Sequence, residues 1–150
     1  MTTFNRRRLL QTTALAVAGA TLGSTVQAHA QSRILGTVID YSAGVPSGAA
    51  VKAAGHMGAV RYVSQPRPGA EWMKGKPVTI GETQDFAANG LATASVYQFG
   101  RAENADWKEG AAGVAKHAPQ AIRLHQAAGG PNGRPVYIAI DDNPTRDQYV

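Results

Sequence analysis

The sequence contains no cysteine among its 150 residues. Disulfide frameworks and cysteine-ligated metal sites are therefore excluded. The stability of the protein must come from a hydrophobic core, and the chain is long enough to bury a modest one. Its length corresponds to one ordinary domain at most.

A strong positive charge outside the N-terminus is also lacking. The chain has 15 lysines and arginines against 10 aspartates and glutamates, which gives a net charge of +5. Three of the arginines lie at 6–8, within a 30-residue segment that contains no acidic side chain. Without that segment 12 basic residues remain against 10 acidic ones, a net charge of +2. No basic stripe interleaved with aromatic residues is left, so nucleic-acid binding is excluded.

Several motifs of common enzymes are missing as well. No glycine-rich phosphate loop follows the first predicted strand, where residues 40–42 read Asp-Tyr-Ser. There is no Gly-x-Ser-x-Gly elbow of a serine hydrolase. His117 and His125 are eight residues apart, whereas two metal ligands on one helical face are three or four apart. We therefore expect surface histidines, no metal site and no cofactor.

The first 30 residues have the three-part layout of an export signal. Three consecutive arginines, Arg6–Arg8, precede a mainly apolar stretch at 9–26, and Ala28-His29-Ala30 follows as a cleavage site. The alternative, a membrane anchor, is disfavoured by the glycines and threonines of that stretch. The paired arginines predict recognition by the twin-arginine export machinery. We expect cleavage before Gln31, no stable membrane span afterwards, and a protein exported to the periplasm, the cell envelope or the exterior.

Strands and helices alternate along the rest of the chain. The pattern predicts strands at 33–42, 59–64, 91–100 and 134–141, with helices at 45–58, 79–89 and 104–130 between them. The third helix should be interrupted near Pro119, and Asn143-Pro144 should open a fourth. This order requires parallel strands, in either an open doubly wound sheet or a (β/α)₈ barrel. The missing glycine-rich loop favours the barrel.

A complete barrel needs eight such units and typically about 250 residues. We therefore expect residues 31–150 to form one partial (β/α)₈ TIM-barrel domain of about four βα units, C-terminally incomplete. The edges of its first and fourth strands would then be exposed and prone to association.

Acidic residues end two of the predicted strands. Asp40 ends the first, and Asp141 and Asp142 end the fourth. Sites of parallel α/β folds form at the carboxyl ends of strands, and two acids at one barrel mouth are the requirement of glycoside hydrolysis. We predict Asp40 and Asp141 as catalytic residues, without dividing the roles between them. Each could instead cap a helix or form a turn, and for Asp142 the turn is favoured over ligand binding.

Four further residues are candidates for substrate binding. Arg61 could line the interior and orient a carboxylate, or point to solvent. Tyr97 and Gln98 are consecutive in a strand, so only one of them can face inward. Trp72, in a loop rich in proline and glycine, could stack on a sugar face. Trp107, which opens a helix, is equally well explained as a packing residue.

Five segments together resemble one known family: GTVIDYS, AVRYVS, KPVTIGETQDFAANGL, SVYQFG and VYIAIDD. They resemble the bacterial glycoside-hydrolase-like domains of unknown function that actinobacteria export by the twin-arginine route. These domains are TIM-barrel relatives of the family 25 muramidases, and the resemblance covers residues 34–150.

The resemblance implies a function for two of the acids. Asp40 and Asp141 match the acids that line the muramidase cleft, and the expected partner is carbohydrate, either cell-wall polysaccharide or peptidoglycan. The muramidases have Asp-x-Glu in strand 4, where this chain has Ala139-Ile140-Asp141. A non-catalytic carbohydrate-binding protein of the envelope and a truncated fragment without activity of its own are therefore the alternatives.

Overall fold

Four parallel strands form a sheet in which the strand order follows the chain. The computed structural model describes residues 34–149, so the predicted export signal at 1–30 lies outside the described residues. The strands are β1 (Ile39–Asp40), β2 (Gly58–Tyr62), β3 (Ala92–Tyr97) and β4 (Val136–Ile138), and each pairs with the next in parallel. The prediction of a parallel α/β fold is therefore confirmed.

Helices connect these strands. They are α1 (Gly48–Ala53), α2 (Ile80–Ala88), α3 (Gly110–Ala127) and α4 (Arg146–Tyr149). Two short 3-10 turns, Ala102–Asn104 and Asp106–Glu109, precede α3. Within residues 34–149 no helix is both long and apolar enough to cross a membrane.

The described helices α1, α2 and α3 pack against one face of the sheet. The odd-numbered residues of β1, β2 and β3 point toward the helices, and so do the even-numbered residues of β4, because Ile138 pairs with Tyr97. Ala59, for example, packs in a cluster with Val51 of α1 and Phe86 of α2. Tyr97 packs in a second cluster with Leu124 of α3. Because side chains alternate along a strand, the intervening residues of each strand face the other side. That face, which we call the open face, has no helix packed on it among the described residues.

A buried arginine holds this arrangement together. Arg61 of β2 has no exposed surface, and its Nε donates to Glu82 Oε1 of α2 at 2.5 Å. Its terminal nitrogens donate to the carbonyl oxygens of Tyr41 and, at 2.5 Å, Gly75. The guanidinium carbon also lies 3.7 Å from the centre of the Tyr41 ring. One side chain therefore joins the end of β1, the strand β2, the loop before α2 and α2 itself.

The start of α2 was predicted from the spacing of Thr79 and Glu82. The Thr79 side chain does accept a hydrogen bond from the Glu82 backbone N–H at 3.3 Å, as an N-cap should. The Glu82 side chain does not return to the helix start as in a full capping box. It accepts from Arg61 and, at 2.6 Å, from the Tyr41 hydroxyl, because a buried guanidinium is the stronger partner.

Helix α3 differs from its prediction in two respects. It is continuous through Pro119, so the predicted interruption is wrong. Proline removes the hydrogen bond to Ala115, but both residues are exposed and water can serve that carbonyl. The prediction of surface histidines is also wrong for this helix, since His117 and His125 are each only 8% exposed. Eight residues is a little over two turns, so both can face the sheet.

The remaining differences concern boundaries. Strand β1 is only two residues long, because its pairing with β2 is confined to Ile39 and Asp40. Helix α4 begins at Arg146 rather than at the predicted Asn143-Pro144. The Thr145 backbone N–H donates to Gln148 Oε1 at 2.9 Å, which is one half of a capping box.

The buried arginine gives a direct test of this account. Replacing Arg61 by methionine leaves the Glu82 carboxylate buried without its cation, so we expect the free energy of unfolding to fall by about 3–5 kcal/mol. The double variant Arg61→Met/Glu82→Gln should lose less than the sum of the two single changes. Urea unfolding measures both quantities. The control Arg123→Met removes an exposed arginine of α3 and should change stability by less than about 0.5 kcal/mol. If Arg61→Met also lowered the free energy of unfolding by less than about 0.5 kcal/mol, the role given to Arg61 would be contradicted.

Candidate functional site

Polar side chains from all four strands or their ends meet at the carboxyl edge of the sheet. Asp40 ends β1 and Tyr62 ends β2, while Gln98 directly follows β3 and Asp141 lies just beyond β4. The Tyr62 hydroxyl donates to Asp40 Oδ2 at 2.7 Å, and Gln98 Nε2 donates to Asp141 Oδ2 at the same distance. Both carboxylates are exposed on the open face and are therefore accessible to a ligand.

Tyr62 lies close enough to both carboxylates to be affected by each. Burial raises the pKa of the Tyr62 hydroxyl well above its usual value of 10, and the hydrogen bond to Asp40 and the Asp40 charge raise it further. The charge of Asp141 contributes in the same direction, while Arg61 opposes these effects. The hydroxyl is protonated at neutral pH, and its hydrogen bond orients the Asp40 carboxylate.

Lys76 links the Asp40–Tyr62 pair to the Gln98–Asp141 pair. Its Nζ donates to the backbone carbonyl of Gln98 at 2.7 Å and lies 4.1 Å from the centre of the Tyr62 ring. Ser64 Oγ donates to the same carbonyl at 2.6 Å. We refer to Asp40, Tyr62, Lys76, Gln98 and Asp141 as the carboxyl-edge site.

Burial lowers the pKa of the lysine in this site. Lys76 is 6% exposed, and burial lowers its pKa from 10.5 to about 8. The positive charge of Arg67 adds to this lowering, whereas the negative charges of Asp106 and Asp40 partly oppose it. The site therefore offers an ammonium group that can release its proton close to physiological pH.

Two residues predicted as ligand contacts lie on the helix-facing side instead. Arg61 is fully buried and orients the carboxylate of Glu82, which belongs to α2 and not to the carboxyl-edge site. Tyr97 is also fully buried, and its hydroxyl bonds to His117 Nδ1 at 2.7 Å and to Gln120 Oε1 at 3.1 Å. Neither residue has exposed surface in this structure. As expected from strand alternation, only Gln98 of the Tyr97–Gln98 pair reaches the open face.

The other predicted residues lie at the periphery. Trp72 is 55% exposed in the loop after β2, and its indole has no hydrogen bond or ring contact among the described residues. Asp142 Oδ2 lies 3.4 Å from Lys108 Nζ, so this carboxylate faces the segment between β3 and α3. Trp107 is half-buried beside α3, in keeping with a packing role.

Sequence reasoning missed Tyr62 and Lys76 as site residues. Tyr62 could have been found, because it lies two residues after Val60, the partner of Asp40. Side chains two residues apart in a strand share a face. Lys76 lies in an irregular loop with no periodicity, and its neighbours Tyr62 and Gln98 are 14 and 22 residues away in the chain. No local signal in the sequence identifies such a contact.

The chemistry available at this edge is that of carboxylates, an amine, an amide and a phenol. Among residues 34–149 no cluster of three or more histidine, aspartate or glutamate side chains is arranged to hold a metal ion. Two of these groups, the exposed carboxylates of Asp40 and Asp141, lie at the same edge of the sheet.

Comparison with known proteins identifies relatives of this chain. Residues 49–150 match the family model described as Rv2525c-like, glycoside hydrolase-like domain. Rv2525c of Mycobacterium tuberculosis, whose name designates it a candidate peptidoglycan hydrolase, is 47% identical over 131 residues. Those residues are 87% of this chain and 55% of the relative.

Two crystal structures of the same Tat-secreted relative are similar to this structure. One contains L-tartrate and the other HEPES. Each gives a TM-score of 0.75 at 49% identity, covering 77% of this chain and 57% of the relative. The chain thus spans a little over half the length of the relatives it matches.

The lowered pKa of Lys76 predicts an unusual dependence of stability on pH. Between pH 8 and 10.5 the unfolded chain keeps a proton that folded Lys76 has released, so stability should rise with pH, by about 1–3 kcal/mol at most. The raised pKa values of Tyr41 and Tyr62 act in the opposite sense above pH 10, because these tyrosines ionise more readily when unfolded. Urea unfolding should therefore show the rise between about pH 8 and 10.

The matched control for this prediction is two residues away. Lys76→Met should abolish the rise, whereas Lys74→Met, which removes an exposed lysine, should leave it intact. Identical pH profiles for the wild type and Lys76→Met would contradict the account of Lys76.

Proposed function

The chain belongs to the Rv2525c-like family of glycoside hydrolase-like domains, and we propose that it is an exported hydrolase of glycosidic bonds in peptidoglycan or a related cell-wall polysaccharide. The observation that supports this most is the pair of accessible carboxylates at one sheet edge. Asp40 ends β1 and Asp141 lies just beyond β4, and these are the two outer strands of the sheet. The negative charge of each raises the pKa of the same tyrosine, Tyr62.

The proposed reaction needs two carboxyl groups with complementary tasks. In glycoside hydrolysis one protonates the leaving oxygen and the other acts as nucleophile or activates water. Tyr62 and Gln98 each hold one of the two carboxylates by a hydrogen bond at 2.7 Å. Such fixed orientation is what a reaction of this kind requires, because the acid and its partner must act on opposite sides of one bond.

The fold favours a barrel over an open doubly wound sheet. The strand order is consecutive, all the pairings are parallel, and α1, α2 and α3 contact one face of the sheet. A doubly wound sheet reverses its strand order and has helices on both faces. We therefore propose that residues 31–150 form one glycoside-hydrolase-like domain containing four βα units of a (β/α)₈ barrel, with the carboxyl-edge site at its mouth.

Export by the twin-arginine route fits this function. Arg6 and Arg7 supply the paired arginines at the start of an apolar segment, and the relative Rv2525c is described as Tat-secreted. We propose that residues 1–30 are read by the twin-arginine export machinery. The exported protein would then encounter a peptidoglycan substrate in the periplasm, the cell envelope or the exterior.

Two peripheral residues complete the proposed substrate contacts. Trp72 exposes its indole in the loop after β2, where it could stack on a sugar face as aromatic rings do in carbohydrate sites. Asp142 follows Asp141 directly and is anchored near Lys108. Gln98 contacts Asp141 and has a half-exposed side chain, so we propose that it also contacts the substrate.

One observation favours binding without turnover as a second candidate. Ala139 lies two residues before Asp141 and shares its face by strand alternation. This is the position at which the muramidase pattern has its first acid. A cleft with one carboxylate fewer could bind an envelope glycan without cleaving it.

Substitution of the two acids separates hydrolysis from binding. Asp40→Asn and Asp141→Asn should each lower the release of reducing ends from peptidoglycan by about 10²–10⁴-fold, because each removes a group that must exchange a proton or form a bond. Asp147→Asn, which changes an exposed acid of α4, should have no effect.

The same assay, applied to the wild type and to these variants, decides between a hydrolase and a binding protein. Binding of peptidoglycan by the wild type, with no release of reducing ends, would favour the binding protein over the hydrolase. Turnover that survives both Asp40→Asn and Asp141→Asn would contradict the assignment of the reacting pair.

A further inference from the structure

A cavity lies at the same end of the strands as the carboxyl-edge site. It has a volume of about 730 Å³ and is formed by the segments that follow β2 and β3. The side chains that matter for its chemistry are Arg67, Phe99, Arg101, Glu103, Lys108 and Lys116. Since β2 and β3 are parallel neighbours, the loops after them open on the same edge as Asp40 and Asp141. We call this space the basic cavity.

Its charge is only partly neutralised by the protein. Lys116 pairs with Glu109 at 2.9 Å, and Lys108 lies 3.4 Å from Asp142. Within residues 34–149 Arg67 and Arg101 form no salt bridge. The polar contact of the Arg67 side chain is with the Met73 sulfur at 3.7 Å, which does not neutralise its charge.

Two acids line the cavity, and because Glu109 is paired with Lys116, only Glu103 remains to oppose the two arginines. Glu103 is exposed and also forms no salt bridge among the described residues. Two unpaired guanidinium groups against one exposed carboxylate leave the basic cavity with excess positive charge. An anion that entered it would relieve the repulsion between like charges.

The loop that presents Arg101 is built to a fixed shape. Asp106 is buried, and its two carboxylate oxygens accept hydrogen bonds from the Phe99 and Gly100 backbone N–H groups, each at 2.6 Å. A Cβ atom at Gly100 would lie 1.7 Å from the Asn104 carbonyl oxygen, so only glycine fits there. Ala102 has a φ of 49°, which is strained for an alanine. These features fix the backbone of the loop that carries Arg101.

We propose that the basic cavity binds an anionic group, a carboxylate or a phosphate, of the same polymer whose sugar lies at Asp40 and Asp141. This inference rests on the proposed function and narrows it, because it makes an acidic glycan the ligand and disfavours a neutral one. Arginine is suited to the task, since its planar fork can donate two parallel hydrogen bonds to a carboxylate or a phosphate. Peptidoglycan carries carboxylates on its lactyl groups and peptide stems.

A matched set of ligands tests this assignment. The first is a disaccharide of N-acetylglucosamine and N-acetylmuramic acid with a free lactyl carboxylate, and the second is its uncharged methyl ester. The full chain should bind the free acid about tenfold or more tightly at low salt by calorimetry, as expected for a charge-assisted hydrogen bond. A third ligand, with a phosphate in place of the carboxylate, identifies by its relative affinity which of the two anions the cavity prefers.

Variants test whether the preference for the free acid over the ester arises in the basic cavity. Arg101→Gln should bring the affinity for the free acid to within about twofold of that for the ester, with the ester itself unaffected. Arg123→Gln removes an equal charge from an exposed position on α3 and should preserve the tenfold difference. The Arg101 side chain is exposed and forms no hydrogen bond among the described residues, so the thermal transition of Arg101→Gln should match that of the wild type.

The outcomes separate this inference from the proposed function. Equal binding of acid and ester by the wild type would overturn the anion site while leaving glycan binding intact. A tenfold preference that persists in Arg101→Gln and in Arg67→Gln would also overturn it. Failure of the wild type to bind any of the three ligands would contradict the proposed function and this inference together.

Discussion

The burial of one guanidinium group constrains most of this structure. A charged arginine in the interior costs several kcal/mol unless its donors meet acceptors and its charge is paired. Arg61 meets that condition through Glu82 of α2 and the carbonyls of Tyr41 and Gly75. Because these acceptors come from separate segments, satisfying Arg61 fixes the end of β1, the loop before α2 and α2 relative to β2.

The site on the other face follows from that constraint. Arg61 points toward the helices, so its neighbour Tyr62 must point to the open face, where it meets Asp40. Gly75 is held by Arg61, and the next residue, Lys76, reaches over the Tyr62 ring to the Gln98 carbonyl. A structural interaction on one face of the sheet thereby determines how the charged groups of the other face are arranged.

Local patterns were sufficient for the order of elements and for three of the five residues of the carboxyl-edge site, Asp40, Gln98 and Asp141. Alternating strands and helices give parallel pairing, and Asp40 and Asp141 follow apolar strand segments, which can be recognised without knowing any contact. Contacts between distant residues could not be predicted in this way. The burial of His117 depends on the Tyr97 hydroxyl 20 residues earlier.

The same limit applies to the network around Lys76 and to the role of Arg61, whose partner Glu82 is on another element. A strand arginine is compatible with solvent exposure or with burial, and the sequence around it does not distinguish them. Pro119 was misleading for a related reason, because exposure of the neighbouring backbone removes most of the cost of a proline within a helix.

The central claim is that the carboxyl-edge site binds a glycan between Asp40 and Asp141. The most direct measurement is an NMR titration of the isotope-labelled chain with a peptidoglycan disaccharide, following the backbone and side-chain signals of the described residues. The account predicts that the largest shifts fall on Asp40, Tyr62, Lys76, Gln98 and Asp141. Saturable binding that shifts signals on the helix-facing side of the sheet, around Ser95 and His125, and leaves these five unchanged would contradict it.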